Sequence, residues 1–251
     1  DIFSFSASAA ILTPYFRRAY LLGNRLAAKP RTQLLAALRG AGRLAEEDMK
    51  RITNGANTHK GLIFTLGLLC GAMGQCEALH EKSSLDSVLS VCTHLACDAI
   101  ADDFGLKMPR ENTAGGRYNP NTGETGARGE AAAGFPHVVN FALPIFVSLK
   151  NLGFSLNDAG VYTLFALIGE VTDTNMICRG GKLVADQAKE TARKLWASSQ
   201  KLGKKLPSMR ALSAMDRRFI CDNLSPGGCA DLLALTYMFY FLELQPENTA
   251  D

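Results

Sequence analysis

The sequence lacks the features that mark several large classes of protein. Its longest apolar segment, residues 62–73, is too short to cross a bilayer, and no secretory signal pattern opens the chain. The net charge of +3 is too small to predict binding to nucleic acid or to an anionic membrane surface. The seven cysteines form no CxxC pair, so reduced, buried thiols are expected rather than disulfides or a zinc site. These absences predict a cytoplasmic protein with neither a membrane nor a nucleic-acid partner.

Patterns typical of β-structure are missing as well. The sequence shows no sustained two-residue alternation, no hairpin signature and no βαβ alternation, which argues against a Rossmann fold. With 251 residues, 47% of them hydrophobic, the chain can bury a large core. The predicted fold is all-α, a single compact multi-helix domain over residues 1–251 with functional glycine-rich loops at helix termini. Apolar residues recur at helical spacing over 34–52, 85–100, 156–171, 187–199 and 231–244.

Capping residues mark the ends of several of these helices. Ser84 and Ser155 are suited to helix starts, the latter with Asp158 as a capping box. Ser225 followed by a proline predicts another helix start. The helix over 34–52 is expected to end at Gly55. The chain opens on an aspartate rather than methionine, so the full-length protein is expected to carry a further N-terminal segment.

The first candidate site is the polar turn at residues 54–61, which directly precedes an apolar run. Its candidate ligand-binding residues are Asn57, Thr58, His59 and Lys60. A glycine-containing turn that leads into a helix leaves backbone N–H groups at the positive end of the helix dipole. Together with a lysine, these groups predict a phosphate site. A plain capping turn remains the alternative.

A second cluster lies at residues 122–130, at the end of a long irregular stretch, 105–126. Arg128 offers a fork of donors that suits phosphate oxygens, and Glu130 follows it by two residues. Glycines around them allow a ligand to approach the backbone closely. The alternative is a flexible surface loop followed by a helix start.

Two further clusters pair carboxylates with glycines near helix ends. Asp173 and Asn175 offer oxygen ligands that suit Mg²⁺, and Asp231 is a carboxylate in the first turn of a helix. The alternatives are a solvated helix end for the former and an acid that complements the helix dipole for the latter. The remaining candidates for phosphate binding are Arg179, Gly180, Gly181, Ser225, Gly227 and Gly228. Taken together, the four clusters predict a helical scaffold that holds a polyphosphate and a divalent cation.

These clusters resemble the motifs of the triphosphoribosyl-dephospho-CoA synthase family, which makes the prosthetic-group precursor of citrate lyase and malonate decarboxylase. The matching segments follow the order of the family and lie at residues 55–61, 125–136, 173–181 and 225–234. The family's first motif, a Lys-Pro-Gly-Leu-Val-Asp segment followed by His-x-Asp-Met, is absent from this sequence. Two smaller departures are Ala56, where the family often has valine, and Cys229, where it often has serine.

The resemblance implies that ATP and 3′-dephospho-CoA react to give adenine and triphosphoribosyl-dephospho-CoA. In such a reaction Lys60, Arg128 and Arg179 are expected to clamp the triphosphate. Mg²⁺ is expected on Asp173 and Asp231 as the cofactor. The candidate catalytic residues are Glu130 as general base, His59 as a donor to a phosphate oxygen or to adenine, and the carboxylates Asp173 and Asp231. A holo-acyl-carrier-protein synthase that uses the product is an expected partner.

Two other functions stay open at this point. The chain could be a Mg²⁺-dependent all-α nucleotide hydrolase, in which water takes the place of the acceptor. It could also be a non-catalytic nucleotide-binding partner, if the N-terminal motif is truly missing. The sequence separates neither the citrate lyase role from the malonate decarboxylase role nor one oligomeric state from another.

Overall fold

The computed structural model describes residues 2–79, 84–105, 126–201 and 206–243, and every regular element in these ranges is helical. This confirms the all-α prediction for the described chain. The elements are α1 (Ile2–Arg25), α2 (Arg31–Ile52), α3 (Lys60–Ala78), α4 (Leu85–Gly105), α5 (Gly126–Ala132), a π-helical segment (Val138–Ala142), α6 (Leu143–Asn151), α7 (Leu156–Glu170), α8 (Thr174–Lys201), α9 (Met209–Cys221) and α10 (Gly227–Glu243).

The helices group into two compact units. Unit 1 contains α1 to α4 together with residues 127–135, and unit 2 contains residue 126 and the elements from the π-helical segment to α10. The sequence showed no boundary of this kind, because no linker or shift in composition separates the two groups of helices. That the whole chain acts as a single domain stays a prediction.

Unit 1 is built around α3, which packs closely against α1. A Cβ added at Gly23 would lie 1.9 Å from the backbone oxygen of Gly71, and one added at Gly74 would lie 2.0 Å from that of Tyr20. Only glycine allows two helix backbones to approach this closely. The hydroxyl of Tyr15 donates to the backbone oxygen of Ile63 (2.9 Å), which fixes the two helices further. The start of α3 is therefore held in place by α1.

Helix α3 is also longer than its apolar run suggested. Its 19 residues are long and apolar enough to cross a membrane by length and composition, the one such helix in the described ranges. Since 56% of its apolar window is buried within the protein, α3 has the character of a core helix, which passes the same test.

Unit 2 has α7 as its most buried helix. Its start follows the prediction, because the backbone N–H of Asp158 donates to the hydroxyl of Ser155 (3.0 Å). Close to that start, the hydroxyl of Tyr237 on α10 donates to the backbone oxygen of Leu156 (2.8 Å). A Cβ added at Gly160 would lie 2.0 Å from the same hydroxyl, so glycine is needed there. Contacts with α8 and α10 thus bury the long apolar face that the sequence predicted.

Two predicted helix ends need correction. The alternative for Asp173 and Asn175 was a solvated helix end, but Asp173 is buried, α8 begins at Thr174, and only Gly181 departs from helical geometry, with φ 80° and ψ 162°. Ser225 was predicted to cap the last helix, but α10 starts at Gly227 and the side chain that binds its first turn is Asp173. The long stretch at 106–125, with part of the second cluster, lies outside the described residues. The predicted cap at Ser84 and the helix end near Gly55 are confirmed.

None of the seven cysteines forms a disulfide, as predicted, but only three of them are buried. These are Cys76, Cys92 and Cys229; Cys70 is half-buried, and burial raises its pKa to about 12. The exposed thiols are Cys97, Cys178 and Cys221.

We expect three thiols of the native protein to react with Ellman's reagent within minutes and all seven to react in guanidinium chloride. The reason is that only a solvent-accessible thiol can form a thiolate that meets the reagent. The absorbance of the released thiol reagent, measured with the native and with the denatured protein, gives the number of reactive thiols in each state. A fourth rapidly reacting thiol would contradict the burial described for Cys70 and the three core cysteines.

Candidate active site

In unit 1 the predicted phosphate turn lies at the N-terminus of α3, as expected. The Oδ1 of Asn57 accepts the backbone N–H of Lys60 (3.1 Å), so this side chain caps the helix. His59 occupies the residue before the helix, and its backbone N–H donates to the sulfur of Met49 (3.3 Å). The turn is therefore fixed at both ends, by its own asparagine and by α2.

Lys60 forms an ion pair that the sequence did not predict. Its Nζ lies 2.9 Å from Oε2 of Glu46 on α2, and each side chain is about one-fifth exposed (21% and 22%). Glu46 holds the ammonium at the start of α3, where the dipole of the helix also favours an anion. A lysine ammonium has three N–H donors, and Glu46 accepts from this one at the start of the helix.

Arg128 lies at the same end of α3. Its guanidinium carbon is 5.6 Å from the centre of the Phe64 ring, one helical turn beyond Lys60, in a cation–π contact. Arg128 is exposed, while Glu130 on the same short helix, α5, is half-buried. The structure thus places Arg128, from the described part of the second cluster, against the first turns of α3 in unit 1.

In unit 2 the third and fourth clusters meet at Asp173, which is only 2% exposed. Its Oδ1 accepts the backbone N–H groups of Asn175 (2.8 Å) and Met176 (3.2 Å), at the start of α8. Its Oδ2 accepts the backbone N–H of Cys229 (2.9 Å), at the start of α10. Burial raises the pKa of Asp173, and these backbone donors partly offset the effect. One carboxylate therefore caps two helices.

Asp231 is the second carboxyl of this cluster and is more accessible than the first. It is half-buried, and burial followed by the charge of Asp173 raises its pKa from 3.8 to about 7. Glycines keep the surroundings of Asp173 narrow, because a Cβ added at Gly228 would lie 3.1 Å from its Oδ2. A Cβ added at Gly227 would lie 2.9 Å from Nδ2 of Asn175. The predicted glycines thus serve close packing at the carboxylates.

The other predicted residues of unit 2 lie on α8 and just before α10. Nη1 of Arg179 donates to Oδ1 of Asn223 at 3.4 Å, and the arginine is exposed. A Cβ added at Gly180 would lie 2.5 Å from Leu224, so this glycine serves packing, while Gly181 forms the break in α8. Ser225 is half-buried directly before α10.

Sequence reasoning missed several residues that contact these clusters. In unit 1 they are Glu46 and Ser8, whose hydroxyl lies within hydrogen-bonding distance of two predicted site residues. In unit 2 they are Cys229 and Lys189, whose Nζ donates to Oγ1 of Thr172 (3.2 Å). Each contact joins residues that are distant along the chain or on different helices, so no local spacing signalled it.

The residues of unit 2 fit a cation only in part. Within the described ranges there is no group of three His, Cys, Asp or Glu side chains that could hold a metal ion. Mg²⁺ in nucleotide sites is often bound by one or two carboxylates, with phosphate oxygens and water as the other ligands. Asp231, with Asp173 beside it, satisfies that smaller requirement.

Known proteins are similar to this chain over nearly its whole length. Residues 1–249 match the family described as CitG, ATP:dephospho-CoA triphosphoribosyl transferase. A Vibrio cholerae protein named "Probable 2-(5''-triphosphoribosyl)-3'-dephosphocoenzyme-A synthase" is 38% identical over 243 residues, which are 96% of this chain and 77% of that protein. The 2-(5''-triphosphoribosyl)-3'-dephosphocoenzyme-A synthase of Pectobacterium atrosepticum is 37% identical over 244 residues, with the same two shares.

A solved structure supports the fold. A crystal structure of an Archaeoglobus fulgidus protein covers 97% of this chain and 99% of its own, with a TM-score of 0.58 and 20% sequence identity. At that identity the likeness concerns the fold alone. The family match covers nearly the whole chain, and the two relatives are similar over 96% of it. This chain therefore belongs to the ATP:dephospho-CoA triphosphoribosyl transferase family.

Proposed function

We propose that this protein transfers the triphosphoribosyl group of ATP to a ribose hydroxyl of 3′-dephospho-CoA. The hydroxyl oxygen forms a bond to the anomeric carbon of ATP, the bond from that carbon to adenine breaks, and the triphosphate stays attached. The hydroxyl proton passes to a base of the enzyme, and adenine leaves as the neutral base after protonation. The product is the prosthetic-group precursor of citrate lyase, or of malonate decarboxylase.

The observation that carries this proposal is the arrangement at the N-terminus of α3. Asn57 caps the helix, Lys60 is its first residue, and Arg128 lies 5.6 Å from the ring of Phe64, four residues further along the helix. A helix N-terminus with two cations is a site for a polyphosphate. Here Lys60 and Arg128 bind triphosphate oxygens, and Glu46 keeps Lys60 in position. His59 supplies a hydrogen bond from the same turn, and the hydroxyl of Thr58 contacts the Ser8 hydroxyl that lies against the ring of His59.

The carboxylates of unit 2 serve the charge of the reaction. Asp231 and Asp173 are a like-charged pair in a partly buried place, which raises the free energy of the doubly ionised form. A divalent cation would relieve that repulsion, so we infer that Asp231 binds Mg²⁺ with Asp173 behind it. The ion would neutralise phosphate charge while the substrate is bound. Asn175, whose backbone N–H donates to Asp173, and Arg179, four residues further along α8, bind phosphate oxygens.

Proton transfer needs separate groups. We assign Glu130 as the general base that accepts the proton of the attacking hydroxyl, because it is a half-buried carboxylate two residues from Arg128. His59 donates a hydrogen bond to a phosphate oxygen. Displacement at an anomeric carbon passes through an oxocarbenium-like state, which a neighbouring carboxylate also stabilises.

The test is mass spectrometry of the purified protein incubated with ATP, MgCl₂ and 3′-dephospho-CoA. We expect free adenine together with an adduct of dephospho-CoA that carries the triphosphoribosyl group, in equal amounts. Adenine without the adduct would instead identify a hydrolase, and neither product with retained ATP binding would identify a non-catalytic binder. The family match disfavours both of these. Omission of dephospho-CoA is the control.

Two attributes extend the proposal beyond the substrates. The product must be passed to an enzyme that attaches it to an acyl-carrier protein, so a holo-acyl-carrier-protein synthase is the proposed partner. We also infer that the protein works in the cytoplasm, where ATP and dephospho-CoA are found.

A further inference from the structure

Ser8 on α1 is a polar residue in an otherwise apolar buried stripe. The buried residues of α1 are Ser8, Leu12, Tyr15, Ala19, Leu22 and Gly23, at the spacing of one helix face. Ser8 is 0% exposed, whereas the hydroxyls of Ser4 and Ser6 nearby belong to half-buried and exposed residues. A buried hydroxyl requires hydrogen-bond partners, and those partners indicate its role.

The partners of Ser8 come from the predicted phosphate turn. Its Oγ lies 2.8 Å from Nδ1 of His59 and 2.7 Å from Oγ1 of Thr58. A second residue of α1, Phe5, makes an edge contact with the imidazole, with ring centres 5.6 Å apart and planes at 74°. The backbone of His59 is held by Met49. The ring is therefore fixed in position and in rotation.

We propose that Ser8 is a positioning residue that selects the tautomer of His59: Thr58 donates to Ser8, Ser8 donates to Nδ1, and the ring proton is placed on Nε2. This inference rests on the proposed function only in giving His59 a phosphate oxygen as its acceptor.

The direction of the hydrogen-bond chain follows from the acceptor that the proposed function gives to His59, a phosphate oxygen. Burial lowers the pKa of His59, so the neutral ring carries one proton near neutral pH. If Nδ1 held it, Nδ1 would donate to Ser8, and Nε2 would be an acceptor that repels phosphate oxygens. With Ser8 as donor to Nδ1, the nitrogen that α1 does not hold becomes the donor.

The test is ¹⁵N NMR of the full protein labelled at histidine, in which His59→Asn identifies the resonances of His59. We expect the proton on Nε2 in the unaltered protein and spread over both nitrogens in Ser8→Ala. We expect kcat/KM for ATP to fall about ten-fold in Ser8→Ala, as for the loss of one hydrogen bond. Ser6→Ala, an exposed serine of the same helix, is the matched control and should change neither reading.

Thr58→Val supplies a second NMR reading if Ser8→Ala is unstable, and it should spread the ring proton in the same way. A proton on Nδ1 in the unaltered protein would overturn the proposal, as would an unchanged tautomer in both variants. If the tautomer responds while the unaltered protein makes no triphosphoribosyl adduct, the positioning role stands and the proposed function fails. If transfer occurs while neither variant changes the tautomer, the proposed function stands and the positioning role of Ser8 fails.

Discussion

Replacement of Asp173 by alanine is expected to lower the free energy of unfolding by about 3 kcal/mol. The change removes the acceptor for three backbone N–H groups, at the starts of α8 and α10. An unpaired buried donor costs about 1 to 3 kcal/mol, and the relief of repulsion with Asp231 recovers part of that cost. Guanidinium denaturation followed by circular dichroism measures the difference.

Ser155→Ala is the matched control for this prediction. Ser155 also caps a helix, α7, but it binds one backbone N–H, and its hydrogen bonds are solvent-exposed. The expected loss is about 1 kcal/mol. If Asp173→Ala lost no more than Ser155→Ala, the carboxylate would not be what holds the two helix starts. Retained Mg²⁺-dependent turnover in Asp173→Ala would in addition exclude that residue as a metal ligand.

Asp231→Asn is expected to reduce turnover at least 100-fold, which is the scale of the loss of a charged ligand. The same change is expected to stabilise the protein above pH 7. The folded carboxyl has a pKa of about 7 against 3.8 for an unfolded one. Between these values the folded state holds a proton that the unfolded state releases, so stability falls as the pH rises through this window. The asparagine variant lacks that loss, which is on the order of 2 to 4 kcal/mol.

Thermal unfolding across pH, with and without MgCl₂, measures both roles of Asp231. Because a bound cation favours the ionised carboxylate, MgCl₂ should raise the Tm of the unaltered protein near pH 8 and have little effect near pH 5. It should have little effect on Asp231→Asn at either pH. The control is Asp216→Asn, an exposed aspartate of α9 in the same unit. A Tm that does not change with MgCl₂ at any pH would contradict the assignment of Asp231 as a metal ligand. The proposed transferase function would still stand.

Both predictions concern a cluster that the sequence described only in part. The residue types and their spacing around Asp173 predicted a polar site beside a helix end. They did not predict that Asp173 and Cys229 are joined, because the two lie 56 residues apart. The prediction that Ser225 caps α10 was wrong for the same reason, since a local cap was the only kind that the sequence could offer.

Local patterns determined much of this protein. Helical spacing predicted the all-α class, the caps at Ser84 and Ser155 were placed correctly, and the turn before α3 was identified together with its helix. These features depend on residues within about four positions of each other, which is the range of a helical hydrogen bond. The motifs of the family could also be identified from the sequence alone.

Tertiary structure alone decided which side chains meet. Ser8 with His59, Glu46 with Lys60 and Asp173 with Cys229 each join two helices. Such pairs depend on the angle and separation at which helices pack, and these follow from distributed contacts such as the close approach of Gly23 to Gly71. A sequence therefore names the chemical groups of this site, while helix packing sets their distances, burial and proton affinity.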